Sequence, residues 1–229
     1  MTYIIHAMIG GSMDPAQFGV DGGWGGTRTT SALIAKFPSS DTTGPDKRAL
    51  FYSSGQSPVI NDIGTFTDGI AVKKFSNLTT GGGPAPSGIK AFVDTDFPVF
   101  RLADTYLMYA EAVLRGGSGG DVATATTYYN MVVRRGYNTA AATYDHNTFT
   151  VGLAADLNDI LDERARELFW ECTRRSDLIR FGQFTDGSYV WPWKGKVPNG
   201  AATASYRNLY PIPAVDLSSN SNLKQNTGY

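Results

Sequence analysis

Glu163, Glu167 and Glu171 stand four residues apart, so a continuous helix would line three carboxylates along one face. Glycoside hydrolysis needs two carboxyl groups at a defined separation, one of them kept protonated to act as the acid. Arginines at ion-pair spacing surround these glutamates. Arg164 lies three residues before Glu167, and Arg174 and Arg175 lie three and four after Glu171. A neighbouring guanidinium lowers a carboxylate pKa, whereas a general acid needs it raised. The pattern reads as a helix-stabilising charge array, and catalysis is not expected. A hydrolase would require two facing carboxylates free of arginine partners.

Other reactive chemistries find little support. His6 and His146, the two histidines, lie far apart with no metal-type spacing, so no metal site is expected on them. Cys172, the single cysteine, falls at an apolar helical position beside Thr173 and reads as a buried thiol; it excludes an intrachain disulfide. No Gly-x-Ser-x-Gly nucleophile motif occurs. Gly81-Gly82-Gly83-Pro84 lacks the lysine and helix that a phosphate loop needs, and reads as a flexible connection. No cofactor is expected. The net charge of -1 leaves no global basic field, and Arg134-Arg135 and Arg174-Arg175 are surface pairs with acidic neighbours, so nucleic acid is not an expected partner.

Trp24 is the residue that invites a ligand. It stands between two glycine pairs in Asp21-Gly22-Gly23-Trp24-Gly25-Gly26-Thr27-Arg28, where local packing partners are scarce. Sugars offer apolar C–H faces to an aromatic ring and hydroxyls to polar side chains, so an exposed indole with Asp21 and Arg28 beside it suits both. The alternative is a tryptophan that tucks its loop onto the body.

The elements that must position these residues change character along the chain. Up to about residue 97, short strands (Tyr3 to Ala7, Ile70 to Phe75) are expected within long loops rich in Gly, Pro, Ser and Thr. Loops of that length are uncommon unless they bind something or are disordered, and binding is preferred here. From Val99 to Leu114 the apolar spacing predicts a helix, with Pro98 in its first turn and Gly116-Gly117 as its stop. Asp121 is placed to cap a second helix whose inner face carries Ala125, Tyr129, Val132 and Val133, giving an antiparallel hairpin. A third helix is expected from Ala154 to about Phe181, followed by an irregular aromatic stretch and a tail rich in proline and asparagine. The hairpin looks like one tetratricopeptide unit, and a single unit is too little for a solenoid.

With 229 residues and 41% hydrophobic content, the chain can bury one sizeable core. No apolar run approaches the ~18–20 residues that span a bilayer. The opening Met1 to Ile9 has no positive flank and no lipid-accepting cysteine, so it does not read as an intact signal.

Three stretches together resemble the C-terminal part of the SusD/RagB family. They are Arg101-Leu102-Ala103-Asp104-Thr105-Tyr106-Leu107-Met108-Tyr109-Ala110-Glu111-Ala112; Glu163-Arg164-Ala165-Arg166-Glu167-Leu168, continuing to Asp177-Leu178-Ile179-Arg180; and Tyr210-Pro211-Ile212-Pro213, running on to Gln225-Asn226 and Gly228-Tyr229. The likeness is strong from about Ala91 to Tyr229 and patchy before it. Cys172 and Ser221 depart from the family's usual glycine and proline. The resemblance implies a mostly α, SusD-like fold: a tetratricopeptide-type hairpin plus a long helix, with extensive loops and a few short strands. It implies a surface-exposed outer-membrane lipoprotein that captures glycan and pairs with a TonB-dependent transporter. It also implies an N-terminal half beyond this sequence, so that the chain is a separately produced domain, a cleaved fragment or a split gene product.

On this reading residues 1–97 form a loop-rich candidate binding surface and 98–229 the helical C-terminal region, both parts of one domain. Trp191 and Trp193 are further candidates, because the Trp-x-Trp-Lys-Gly run recurs in similar proteins and suits scaffold as well as ligand contact. The expected function is non-catalytic oligosaccharide capture. A structural domain that closes a transporter without touching sugar, and a glycoside hydrolase, are the alternatives.

Overall fold

In the computed structural model, which describes residues 1–38, 44–88 and 90–229, the chain opens on a helix where its first residues predict a strand. Helix α1 (Thr2–Met8) buries Ile5, His6, Ala7 and Met8. A short apolar run carries no periodicity that separates helix from strand, and here burial on the core decides. The carbonyls at a helix C-terminus need outside donors. The backbone N–H of Trp24 donates to His6 O at 2.9 Å, that of Thr27 to Ala7 O at 3.1 Å, and that of Gly25 to Ile9 O at 2.8 Å. The glycine-rich loop is therefore the cap of α1. A side chain at position 23 would bring its Cβ to 2.5 Å from Ile9 O, and Gly25 has a φ of 62°, so both glycines are required by this close approach.

Helix α2 (Ser31–Ile34) precedes two short antiparallel strands, β1 (Phe51–Tyr52) and β2 (Ala71–Val72), with Phe51 opposite Val72. Of the strand expected over Ile70 to Phe75, only Ala71–Val72 is realised. Ile5, Met8, Phe18 and Val20 form one apolar cluster. Ile34, Phe37, Phe51, Val72 and Phe169 form another, in which the Phe37 ring meets Phe51 edge-on at 5.2 Å.

The expected hairpin is present as α3 (Leu102–Leu114) and α4 (Val122–Tyr137). Asp121 caps α4, accepting the Thr124 N–H at 2.8 Å. Its inner faces join Leu107, Leu114, Tyr129 and Val133 to Phe149 and to Ile160 of α5 (Ala154–Leu168). Helix α3 starts three residues later than the spacing predicts, so Pro98 lies outside it and Val99 and Phe100 are exposed.

The helix expected to run from Ala154 to Phe181 is two helices. Helix α5 ends at Leu168, Trp170 and Cys172 take left-handed φ values of 64° and 62°, and α6 (Arg174–Arg180) follows. Its end is held from afar: Lys74 Nζ donates to the carbonyls of Glu167 and Phe169 at 2.8 and 2.9 Å, and Arg101 donates to Glu167 O at 3.1 Å. Breaking there turns Phe169 into the cluster around Phe51. It also turns Cys172 outward, so the thiol is exposed, against the sequence expectation.

The chain forms two compact units, Met1–Arg174 and Arg175–Tyr229. The second contains α6 from Arg175 onward and α7 (Ala214–Ser219) among turns and single helical turns. Among the described residues no helix is long and apolar enough to cross a membrane.

Candidate functional site

The three glutamates sit in a buried ionic network. Glu163 binds Arg48 and, at 2.8 Å, Arg166. Glu167 binds Arg48 at 3.3 Å, Arg101 at 2.8 Å and Arg135 at 2.5 Å. Glu171 binds Lys74 and, at 2.8 Å, Arg101. Arginine engagement was expected, and Arg48, Arg101, Arg135 and Arg166 supply it; of the arginines singled out by spacing, Arg164 pairs with Asp104, Arg174 donates to Leu161 O, and Arg175 donates to Arg207 O and Asn208 O. Arg48 also binds Asp46, and it reaches Glu163 past Gly136 of α4, where any Cβ would come within 2.3 Å of the guanidinium. Burial pushes the Glu167 carboxyl up, but Arg135, Arg101 and Arg48 outweigh it and hold the group below its ordinary range. A general acid needs the opposite shift, so this network is a structural clamp.

Trp24 lies on a different surface of the first unit. Its indole is 56% exposed and stacks on the buried His6 ring, 4.9 Å between centroids and 18° from parallel. His6 is fixed in turn by its Nδ1, 2.8 Å from Gly22 O. Tyr3, 69% exposed, stands one helical turn before His6 and sets its ring 6.0 Å from the indole at 56°. One indole face is thus supported, and the ring is held at an angle to a second exposed ring. Sequence reasoning missed Tyr3 and His6 as supports, since their signal is a three-residue helical spacing in a segment read as a strand. Asp21 is exposed in the same loop.

Arg28 is placed otherwise than expected. It donates to the backbone carbonyls of Ile63 (3.0 Å), Thr65 and Asp68, and lies over the Phe66 ring at 5.3 Å. Its guanidinium organises the 60–69 loop rather than standing open beside Trp24.

Trp191 and Trp193 line a cleft of about 840 Å³ within the second unit, together with Arg175, Arg207, Tyr210 and Tyr229. Arg175 lies over Tyr210, 3.9 Å from Cζ to the ring centre. Lys194 is buried under Trp191, its Nζ 4.5 Å from the ring centre and bonded to the carbonyls of Gln183, Asp186 and Tyr189. The two tryptophans therefore share one concavity, while Trp24 belongs to the other unit.

His146 meets Asp159 at 3.2 Å and Asp156 at 3.8 Å, one ring nitrogen facing two carboxylates. The imidazole is stacked on Phe149 at 4.0 Å and its Nδ1 lies 2.8 Å from Asn147 O. The ring ties the preceding loop to α5.

Comparison with known proteins adds a lineage to this geometry. The SusD family model matches residues 46–229. The starch-binding protein SusD of Bacteroides thetaiotaomicron is 43% identical over 188 residues, which cover 80% of this chain and 31% of that protein. Surface glycan-binding protein A of the same organism superposes with a TM-score of 0.64 at 20% identity, over 98% of this chain and 46% of its own. Its complex with laminarihexaose gives 0.60 at 21% identity, over 91% and 43%. At that level of identity the solved structures speak to the fold alone, and the chain spans less than half of each of these relatives.

Proposed function

This chain belongs to the SusD family, and on that footing we propose that it is the C-terminal part of a non-catalytic glycan-binding protein. The observation that carries the proposal is the Trp24 indole, more than half exposed and backed by a stacked, buried His6. A ring pre-set in this way loses little freedom on binding, so its stacking on a sugar face is not spent on ordering the loop. Tyr3 widens the platform and Asp21 offers hydroxyl partners. Trp191 and Trp193 supply a further aromatic surface in the second unit. The names of the starch-binding and glycan-binding relatives support carbohydrate as the ligand class.

The whole protein, in this proposal, works at the outer-membrane surface and passes glycan to a TonB-dependent transporter. The exposed Val99, Phe100, Leu102 and Met108 favour a protein contact along the hairpin, either with the parent's N-terminal half or with the transporter. That surface also keeps open the second reading, in which the domain serves assembly alone. A glycan array probed with the full-length protein separates the two. Binding to at least one saccharide class supports capture, and an array silent throughout supports assembly.

A further inference from the structure

The second unit has a charge character that the whole-chain net charge of -1 conceals. Residues 175–229 carry six Lys and Arg against three Asp, while residues 1–174 carry fourteen against eighteen acidic residues. Four of the six cations, Arg175, Lys194, Lys196 and Arg207, line the 840 Å³ cleft, and among the described residues none of its lining is Asp or Glu.

The inner two of these cations are bonded but not neutralised. Arg175 spends its donors on the carbonyls of Arg207 and Asn208, both at 3.0 Å, and Lys194 on three more. Carbonyl oxygens satisfy the hydrogens and leave the net charge in place. Asp186, whose charge acts on Lys194, gives its carboxylate to the Ser188 N–H and hydroxyl at 3.2 and 2.7 Å. Arg207 and Lys196 are exposed at the cleft. A concavity with low-dielectric aromatic walls focuses such a field.

A neutral saccharide needs the rings and a few hydroxyl partners, and gives nothing back for covering this charge. We propose that the cleft binds oligosaccharides bearing anionic substituents, either uronate carboxylates or sulfate esters. Trp191 and Trp193 stack on the sugar faces, and Arg207 and Lys196 pair with the anionic groups through charge-assisted hydrogen bonds. The inference rests on the glycan-binding reading and adds a ligand class and a second surface to it.

The test is calorimetry on the full-length protein with four probes: a galacturonate hexamer, its methyl ester, a sulfated galactan hexamer, and maltoheptaose. The uronate or the sulfated probe should bind, tightening as salt is lowered. If the uronate binds, its methyl ester should bind about tenfold more weakly or not at all. The exposed double substitution Lys196→Ala with Arg207→Ala should weaken the acidic probe about tenfold or more, and leave maltoheptaose unaffected. Arg207→Gln, which keeps the side-chain length, should lose a smaller share. Acidic binding unchanged in the double variant, or maltoheptaose bound where neither acidic probe is, overturns the cleft assignment and leaves capture at Trp24 standing. Failure of all four probes, together with a silent glycan array, overturns both.

Discussion

Glu167 Oε1 lies 2.8 Å from Arg101 Nη1, tying α5 to the residue that opens α3 across 66 positions of sequence. The same carboxylate also meets Arg48 and Arg135, and it is only 2% exposed. Three segments that share no local sequence thus converge on one buried group. Removing the charge of one partner in a buried network strands the others. Glu167→Gln should therefore lower the free energy of unfolding by roughly 3 kcal/mol, measured by urea denaturation, with saccharide affinity unchanged. A loss of any hydrolytic activity with unaltered stability would point to catalysis instead.

Acid should act on the same group. Its folded pKa is held below the ordinary value of 4.5, so its contribution to stability is complete above that pH and is lost as pH falls through the folded value. Denaturation midpoints should be level across neutral pH and fall below about pH 4.5, more steeply in the natural protein than in Glu167→Gln. Parallel acid slopes in the two proteins would remove Glu167 from the account.

Cys172 carries a left-handed φ of 62° on an exposed residue. A side chain in that region costs about 1 kcal/mol relative to glycine. Cys172→Gly should gain stability of that order, and the natural thiol should react with an aromatic disulfide reagent in the folded protein. A thiol that reacts only after unfolding would contradict the outward placement of Cys172 at the helix break.

Arg28 and Asp21, paired by their closeness to Trp24 in sequence, should separate by experiment. Arg28 binds three carbonyls of the 60–69 loop. Arg28→Ala should cost about 1–2 kcal/mol and open that loop to proteolysis, affecting saccharide binding only through the loop. Asp21→Ala should leave the melting temperature in place and alter which saccharide is preferred.

The hairpin was legible in the sequence because its signals are local: Asp121 caps one helix and Gly116 follows the other. The division of the third helix was not. Leu168, Cys172 and Leu178 keep helical spacing across the break, and what satisfies the end of α5 is Lys74, 93 residues before the carbonyl of Glu167. The glutamates were legible as ion-pair partners by type, and Arg166 is a partner at local helical spacing, while Arg48, Lys74, Arg101 and Arg135 reach them from other segments of the chain. Trp24 could be read as a ring short of neighbours. Its backing by His6 and Tyr3 could not, because the apolar run from Tyr3 to Ala7 fits a strand and a helix equally well.

The central claim, capture of a saccharide on a pre-set indole, is tested most directly by Trp24→Ala in the full-length protein. Calorimetry should be run against maltoheptaose and laminarihexaose beside a thermal melt. Stacking contributes about 0.5–1.5 kcal/mol beyond the area buried, so a weak binder should lose about tenfold or more in affinity. The indole rests on the body through one face only, so the melting temperature should move by no more than a few degrees. Undiminished affinity, or a large fall in melting temperature with affinity retained, would make Trp24 a strut of its loop and contradict the account.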